Sequence, residues 1–271
     1  MTTNRLALGG LFVDRVTKDE AIGRVDDLIA AGGGGYVVTP NIDHVVLVGQ
    51  DARLRAAYRR ASLSLADGQP LLWMARALGS PLPEKISGSD ILAPLMASAA
   101  AKQRRVFFFG ATPEVSAEAA RRLVARYPAL RVVGRDSSYW SPDLADGAAD
   151  AAIIRAIRES GADLVVVALG TPKQEIWMER FQRELAPAVS IGLGASLDFV
   201  AGTVSRAPAW MSRAGLEWVF RLWQEPRRLA YRYLVRDLQI IPIFAGDVYR
   251  ALTKRGRAAW GTAEPSGGPQ R

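Results

Sequence analysis

Short apolar runs alternate with longer Ala-rich segments between residues 18 and 191, and this alternation constrains the fold more than any other feature of the chain. The apolar runs are typical of buried strands, and they lie at 36–39, 106–109, 130–133, 164–169 and 188–191. The intervening segments carry Arg and Glu as surface helices do, and they lie at 18–31, 51–61, 89–102, 113–127, 146–160 and 172–185. Because strands that alternate with helices pair in parallel, the sequence predicts an α/β fold with a Rossmann-like parallel sheet core flanked by helices.

Glycines after two of the predicted strands mark the edge at which such sheets bind ligands. Gly110 and Gly170 each end a strand, and each is followed closely by a Thr-Pro pair that can start a helix. Backbone N–H groups at such junctions favour phosphate, although a tight turn before a helix is the commoner reason for the pattern. Neither junction matches a P-loop or a GxGxxG motif, which disfavours an ATPase or a dehydrogenase.

Polar residues also follow the first predicted strand and the next short apolar stretch. Thr39 and Asn41 can hydrogen-bond to a sugar hydroxyl or an acetamido group, or they can cap the next helix. The pair Asp67-Gly68 is most simply a turn, and alternatively it presents a carboxylate that acts as a general base. His44 can face the same cleft, but a hydrogen-bonded structural role is the simpler interpretation.

Four further candidates lie elsewhere in the core. Gln174, in the first turn of a predicted helix, can donate a hydrogen bond to a sugar or phosphate oxygen, whereas Glu175 suits the helix N-terminus for purely structural reasons. Asp198 either binds a ribose hydroxyl pair or caps a helix. Lys85 either neutralises a diphosphate or is an ordinary solvated charge.

The composition narrows the chemistry. The 271 residues include no cysteine and one histidine. Disulfides, thiolate metal sites and multi-histidine metal sites are therefore excluded, and acid–base chemistry is expected to fall to carboxylates. The first residues lack a signal-peptide pattern, and no apolar run approaches the ~18 residues of a spanning helix, so we expect a cytoplasmic protein.

The positive charge is concentrated at the C-terminal end. Of the net charge of +8, residues 204–271 contribute a net of +7, from twelve Lys/Arg and five Asp/Glu. This segment is predicted to form consecutive helices that break at Pro226, after which Arg228, Arg232 and Arg236 share one helical stripe. Such asymmetry points to an anionic partner.

Trp218 and Trp223 beside Arg221 favour a helix that lies at the level of membrane headgroups. Nucleic-acid binding and a plain helical cap on the core are the alternatives, although no recognised nucleic-acid motif is present. We divide the chain into an α/β core at 1–204, a basic Trp/Arg-rich helical appendage at 205–261 and a disordered tail at 262–271.

Several of these segments occur together in the order in which one known family carries them. Over about residues 36–233 the chain resembles the WecG/TagA/CpsF glycosyltransferases (glycosyltransferase family 26). The segments that carry the resemblance are Thr39-Pro40-Asn41, Leu65-Ala66-Asp67-Gly68, Gly88-Ser89-Asp90, Phe108-Phe109-Gly110, Gly170-Thr171-Pro172-Lys173-Gln174-Glu175, Gly192-Leu193-Gly194-Ala195-Ser196-Leu197-Asp198-Phe199, and Arg206-Ala207-Pro208 through Gly215-Leu216-Glu217-Trp218 to Glu225-Pro226-Arg227-Arg228.

The resemblance implies an inverting transferase that moves a sugar from a UDP-sugar donor to a polyprenyl-diphosphate-linked saccharide, in the synthesis of cell-surface polysaccharide or teichoic acid. N-acetylmannosamine is the first expectation for the sugar, with glucose or a uronic acid as alternatives. No cofactor or metal and no nucleic-acid partner are expected. The protein is expected to be cytoplasmic and to attach peripherally to an anionic membrane surface, the inner face of the plasma membrane, and homo-oligomer formation is compatible with the resemblance.

Functional residues follow from the resemblance position by position. Asp67 matches the proposed catalytic base, and Thr39, Asn41 and Gln174 match residues that line the sugar and diphosphate pocket. The positions expected at the nucleotide are Gly110, Gly170 and Asp198. The positions expected at the membrane and the acceptor diphosphate are Arg221, Arg228 and Arg232.

Lys85 departs from the family pattern, because an arginine is common at that position. Lysine keeps the positive charge but loses the bidentate fork, which weakens an assignment to diphosphate binding. A non-catalytic nucleotide-sugar sensor or membrane scaffold would use the same pocket, and a nucleic-acid-binding α/β protein is a third reading.

Overall fold

A six-stranded parallel sheet forms the centre of the molecule, in the order β4-β3-β8-β7-β5-β6. The computed structural model describes residues 5–143, 147–208, 210–211 and 216–253. The strands of this sheet are β3 (Gly35–Val38), β4 (Leu63–Ser64), β5 (Arg105–Gly110), β6 (Arg131–Asp136), β7 (Leu164–Ala168) and β8 (Val189–Gly192). A separate antiparallel hairpin joins β1 (Arg5–Leu8) to β2 (Leu11–Asp14).

Helices cover both faces of the sheet, which confirms the predicted α/β fold. Those of the core are α1 (Lys18–Ala31), α2 (Ile42–Gln50), α3 (Ala52–Arg60), α4 (Gln69–Ala77), α5 (Gly88–Ala101), α6 (Pro113–Arg126), α7 (Gly147–Glu159), α8 (Lys173–Leu185) and α9 (Ser196–Ala201). Local sequence sets several of their ends: Thr17 and Glu20 form a capping box at the start of α1, and Thr112 caps α6 ahead of Pro113.

Alternating side chains along each central strand build two separate cores. On β5, Phe107 and Phe109 pack into the cluster that contains α2, α3, α4, α7 and α8. Val106 and Phe108 point to the opposite face and pack with α1, α5, α6 and α9. Because the side-chain period of a strand is two, a continuously apolar run is what a sheet buried on both faces requires.

The hairpin and α4 were not predicted from the sequence, and α2 was expected only as the helix that Thr39 or Asn41 caps. Each hairpin strand is four residues long, and the turn between them is Gly9-Gly10, with positive φ at both residues. Helix α2 buries Val45, Val46 and Val48, so its apolar residues do not form the one-sided stripe that identifies a surface helix.

Helices continue beyond the sheet, as predicted, and pack against the core. They are α10 (Glu217–Gln224), α11 (Pro226–Tyr231), a π-helical stretch (Arg232–Arg236), a 3₁₀ turn (Asp237–Gln239) and α12 (Ile240–Thr253). The π-helical stretch interrupts the 3.6-residue repeat on which the predicted arginine stripe at 228, 232 and 236 depends. The side chains of Arg228 and Arg232 lie outside the described residues, so the stripe itself stays a prediction. The predicted tail at 262–271 lies outside the described residues.

Helix α12 is held to the hairpin turn. The backbone N–H of Gly9 donates to Oδ2 of Asp247 at 2.7 Å. On the same helix, Ile240, Ile243 and Phe244 pack against the core cluster that contains α2. Within the described part of the chain, no helix combines the length and apolar character needed to cross a bilayer.

Gly9 is expected to tolerate no side chain. Its φ is +55°, and a Cβ atom there would lie 2.2 Å from Cγ1 of Val45. We predict that Gly9→Ala lowers the free energy of unfolding by about 2 kcal/mol, because left-handed backbone and overpacking are both unfavourable. Urea denaturation measures the change.

Gly23→Ala is the matched control. Gly23 lies inside α1 with open space where a Cβ would be, so alanine is expected to raise stability by about 0.5–1 kcal/mol. Equal effects of the two substitutions would contradict the crowding at Gly9.

Candidate active site

A polar cleft of about 370 Å³ opens at the carboxyl ends of the parallel strands. Loops after β3, β4, β7 and β8 form its floor, and the C-terminal helices form one wall. The structure brings together six of the predicted site residues here, and they are Thr39, Asn41, Asp67, Gly170, Gln174 and Arg221. Five of these six follow the ends of three strands, β3, β4 and β7, as the edge rule for parallel sheets predicts.

A second cavity, of about 400 Å³, adjoins the cleft and has a more apolar wall. It lies between the start of α4 and the C-terminal helices, and its apolar wall includes Ile42, Pro70, Trp218, Leu234 and Leu238. Lys85 lies in this groove and not in the polar cleft. The residues common to both cavities are Asn41, Asp67, Glu217 and Arg221. Asp67 therefore lies where a polar cleft meets an apolar groove.

The backbone fixes Asp67 at this junction. Its N–H donates to the carbonyl of Pro40 at 2.8 Å, and Gly68, with φ +112°, turns the chain into α4. The turn interpretation of Asp67-Gly68 is correct, and this turn presents the carboxylate to the cleft. The role of Asp67 as a general base remains a prediction. Burial raises the pKa of Asp67 to about 7; Lys85 and Arg221 oppose the shift, while Glu217 and Asp90 add to it.

Lys85 is engaged by carboxylates on both sides. Its Nζ lies 2.9 Å from Oδ2 of Asp90 and 3.5 Å from Oε2 of Glu217. Although burial works against ionisation of Asp90, hydrogen bonds from Lys85, Ser87 and Arg206 lower its pKa to about 2. Lys85 is therefore a partly buried, paired cation, not the solvated surface charge of the simpler interpretation.

Thr39 and Asn41 serve local structure as well as lining the cleft. Oγ1 of Thr39 donates to the carbonyl of Gly192 at 3.0 Å, which ties the end of β3 to the end of β8. Asn41 is the N-cap of α2, and its Oδ1 accepts from the N–H of Asp43 at 3.1 Å. The capping interpretation of Asn41 is correct, and it does not remove the residue from the cleft.

Gln174 bridges two elements beneath the cleft. Its Nε2 donates to Oε1 of Glu175 at 2.9 Å, and its Oε1 accepts from the N–H of Gly194 at 3.1 Å. Glu175 is fully buried. The orientation of the Gln174 amide is thereby set by partners on both sides.

Gly110 and Asp198 lie in neither cavity, so their predicted nucleotide roles remain predictions. At Gly110 a Cβ would lie 2.7 Å from the carbonyl carbon and oxygen of Ala168, which gives this glycine a packing reason. The carbonyl of Asp198 accepts from Gly202 and Thr203 at the end of α9. The side chains of Arg228 and Arg232 are outside the described part of the structure.

Two charged cleft residues from the C-terminal helices received no role in the sequence analysis. Arg236 forms an ion pair with the buried Asp43, with Nε 2.5 Å from Oδ1. Glu217 lines both cavities and pairs with Lys85. Arg236 belonged to the predicted arginine stripe. Its partner Asp43 lies 193 positions earlier in the sequence, so no local pattern could predict that the two residues pair.

Among the described residues, His, Asp and Glu side chains form no cluster of three or more that could hold a metal ion. Metal independence remains a prediction.

The raised pKa of Asp67 makes a prediction that needs no substrate. Between the ordinary aspartate pKa and about 7, the folded state holds a proton that the unfolded state releases, so wild-type stability falls as pH rises through this window. Asp67→Asn has no carboxyl group at this position, so its stability does not fall for this reason as pH rises. We expect its advantage over the wild type to grow by about 2.5 kcal/mol, or roughly 5–10 °C in Tm, between pH 5 and pH 8.

Asp163→Asn provides a control of opposite sign. Burial disfavours the ionised form of Asp163, but hydrogen bonds from Arg105 outweigh it and lower the pKa of this carboxyl. Its stabilising effect is therefore complete above the unfolded pKa, and the Tm deficit of the variant is expected to be equal at pH 5 and pH 8. A constant difference for Asp67→Asn as well would refute the raised pKa.

Comparison with known proteins identifies the family. The model described as "Glycosyl transferase WecG/TagA/CpsF family" matches residues 6–257. A Bacillus spizizenii protein named N-acetylglucosaminyldiphosphoundecaprenol N-acetyl-beta-D-mannosaminyltransferase is 34% identical over 197 residues, which cover 72% of this chain and 73% of that protein. A Bacillus subtilis protein of the same name is 34% identical over 164 residues, or 60% of this chain and 61% of that protein. The resemblance is confirmed, and the chain belongs to the WecG/TagA/CpsF family of glycosyl transferases.

Proposed function

We propose that the protein transfers a sugar, of the N-acetylmannosamine type, from a UDP-sugar to a saccharide carried on a polyprenyl diphosphate. The observation that carries this proposal is the position of Asp67 at the junction of a polar cleft and an apolar groove. A transferase of this kind must bring a polar donor and a lipid-linked acceptor to one base. The names of the relatives, which specify an undecaprenol-linked acceptor and a mannosaminyl group, support the same assignment.

The polar cleft suits the donor. Its floor carries neutral hydrogen-bonding groups on Thr39, Gln174 and Thr171. Gly170 and Thr171 line the cleft just before α8, whose N-terminus has no side-chain cap, and a helix N-terminus favours a phosphate. Arg221 lies on the wall between cleft and groove, where a guanidinium can contact a diphosphate leaving group.

The apolar groove suits the acceptor. Ile42, Leu234 and Leu238 offer surface to the first isoprene units, and Lys85 lies among them. Because Lys85 is already paired with Asp90 and Glu217, an incoming diphosphate competes with Glu217 for it. Arg221, on the side of the groove shared with the cleft, supplies a second positive charge.

The chemistry requires one proton transfer. Asp67 accepts the proton of the acceptor hydroxyl as its oxygen attacks the anomeric carbon from the face opposite the leaving group. The bond between that carbon and the phosphate oxygen breaks, UDP leaves with the electron pair, and the configuration inverts. A carboxylate with a pKa of about 7 is well matched to this task at neutral pH.

The C-terminal helices also suggest how the enzyme reaches its acceptor. They expose large apolar side chains next to the groove, among them Trp223, Tyr231, Leu234, Leu238 and Ile241. Together with the basic charge of this part of the chain, such a surface favours an anionic bilayer. We infer peripheral attachment to the inner face of the plasma membrane.

The activity test combines detergent-solubilised undecaprenyl-diphosphate-GlcNAc with a panel of UDP-sugars and measures UDP release. We expect release with UDP-N-acetylmannosamine. Asp67→Asn is expected to reduce kcat at least 1,000-fold, because transfer loses its base, while UDP still binds in calorimetry.

Asp163→Asn, which alters a carboxylate outside both cavities, controls for a general effect of losing a charge. Near-normal turnover by Asp67→Asn would remove Asp67 from the mechanism. Release with UDP-glucose alone would replace the mannosamine assignment, and no release with any donor would favour a binding protein.

Membrane attachment gives a separate prediction. The side chain of Trp223 is 79% exposed on α10. Trp223→Gln is expected to lower the partition coefficient onto phosphatidylglycerol vesicles about tenfold, because an indole loses its burial in the interface. Cosedimentation measures it.

Tyr139→Gln is the matched control. Tyr139 is also a largely exposed aromatic, at 71%, but it lies on the loop after β6 and not on the C-terminal helices. Equal losses for the two variants would contradict docking through the C-terminal helices.

A further inference from the structure

The single histidine of the chain lies at the centre of a hydrogen-bonded network beneath the polar cleft. Nδ1 of His44 accepts from the backbone N–H of Asn41 at 3.2 Å and lies 2.9 Å from the hydroxyl of Tyr58. Nε2 of His44 lies 2.8 Å from Oγ1 of Thr171. The network therefore connects the loop after β3 to the loop after β7.

These contacts assign the tautomer of His44. A backbone N–H can only donate, so Nδ1, which faces Asn41, must be the unprotonated acceptor nitrogen. Nε2 then carries the proton and donates it to Thr171. An imidazolium would place two donors face to face at Nδ1.

Glu175 is the hydrogen-bond acceptor on the other side of the network. Its Oε1 accepts from Oγ1 of Thr171 at 3.1 Å and from Nε2 of Gln174 at 2.9 Å, with the Tyr58 hydroxyl at 3.4 Å. The carboxyl group is fully buried in the first turn of α8. Burial raises its pKa, although these hydrogen bonds oppose the shift.

The hydrogen bonds within the protein determine which donors and acceptors of the cleft floor are left to contact a ligand. Thr171 donates its proton to Glu175, and Thr39 donates its proton to Gly192, so both hydroxyls can only accept from the cleft. Gln174 has one N–H and one oxygen lone pair left after it bonds to Glu175 and Gly194. The side chains of Thr39, Thr171 and Gln174 thus offer more acceptors than donors to the cleft.

An acceptor-rich floor distinguishes a sugar from a diphosphate. Sugar hydroxyls and an acetamido N–H have protons to donate, whereas the diphosphate of a nucleotide is fully ionised between its two esters and has none. The floor over Thr39, Thr171 and Gln174 therefore complements the sugar ring, and it offers little to the phosphates.

We propose that His44 and Glu175 are positioning residues that fix the proton arrangement of the cleft floor, so that Thr171 and Gln174 recognise the sugar of the donor. This role rests on the proposed transfer function. Neither residue exchanges a proton with the substrate; both act through the groups they orient.

Steady-state kinetics with His44→Gln and Glu175→Gln test this assignment. His44→Gln cannot bond to Asn41 and Thr171 together, and Glu175→Gln places an amide donor among donors. We expect the KM for the UDP-sugar to rise about tenfold, the loss of one to two hydrogen bonds. The inhibition constant of UDP and the KM for the lipid acceptor are expected to stay within about twofold, because UDP lacks the sugar.

The matched control is Asp150→Asn. Asp150 is likewise a buried carboxylate, it accepts from Nε1 of Trp140 at 2.8 Å, and it lines neither cavity. This variant is expected to lower Tm and to leave all three kinetic constants at wild-type values.

Selective ¹⁵N-histidine labelling gives an independent measurement on the unmodified protein. With one histidine in the chain, the spectrum contains one imidazole. At pH 7.5 we expect the chemical shifts of a neutral ring protonated at Nε2.

Three results would overturn the proposal. The first is an imidazolium or an Nδ1–H ring in the spectrum, which would contradict the network itself even if a variant failed to fold. The second is an unchanged donor KM in the folded variants, or a UDP inhibition constant that rises in parallel with KM, since either would show that the sugar is not what the network serves. The third is the absence of UDP release by the wild type with any donor, which would refute the transfer function and the donor role together while the spectrum still reported the tautomer.

Discussion

The parallel pairing of β8 with β3 on one side and β7 on the other is the constraint on which the site depends. The register sets Val37 beside Ile191 and Val167 beside Gly192, so three strands end at the same level. Beyond that level the sheet offers no further ladder, and side chains take over: Thr39 bonds to the carbonyl of Gly192, and Gln174 bonds to the N–H of Gly194. The same groups that satisfy the strand ends form the floor of the cleft. A shift of one residue in any of these strands would turn its side chains to the other face and separate the pairs.

The C-terminal helices complete this edge with charge. The core alone provides Asp67 and Lys85, whereas Glu217 and Arg221 approach the same junction from α10. The two residues act in opposite directions on the Asp67 carboxyl, because Glu217 disfavours its ionised form and Arg221 favours it. Farther along, Arg236 pairs with Asp43 in the cleft and Asp247 binds the hairpin turn at Gly9, so two polar contacts hold these helices to the core. The environment of the base therefore depends on helices that lie outside the sheet.

Alternation and strand-end residues were sufficient to predict the parallel sheet, most of its flanking helices and five of the six predicted residues that meet in the cleft. The sixth, Arg221, was predicted from the family resemblance. Local patterns failed where tertiary packing decides. The extent of helix α2 was not predicted, because it is buried on several sides and lacks a one-sided apolar stripe. The predicted arginine stripe assumed an unbroken α-helix, whereas the backbone is π-helical over Arg232–Arg236. The partners of Lys85 also could not be predicted, since Glu217 is brought to it by the docking of α10. For His44 the sequence left two interpretations, a hydrogen-bonded structural role and a place in the cleft, and the structure shows both.

Burial raises the pKa of both Asp67 and Glu175, so a raised pKa by itself does not identify the base. Their surroundings separate them. Glu175 is fully enclosed, lies at a helix N-terminus and receives hydrogen bonds from Gln174 and Thr171, all of which hold it in place beneath the floor. Asp67 borders two cavities and is surrounded by charges of both signs, which leaves its carboxylate accessible to a proton from an incoming hydroxyl. In the proposed reaction one buried carboxylate thus orders the donor site and the other performs the proton transfer, a division of labour set by environment and not by residue type.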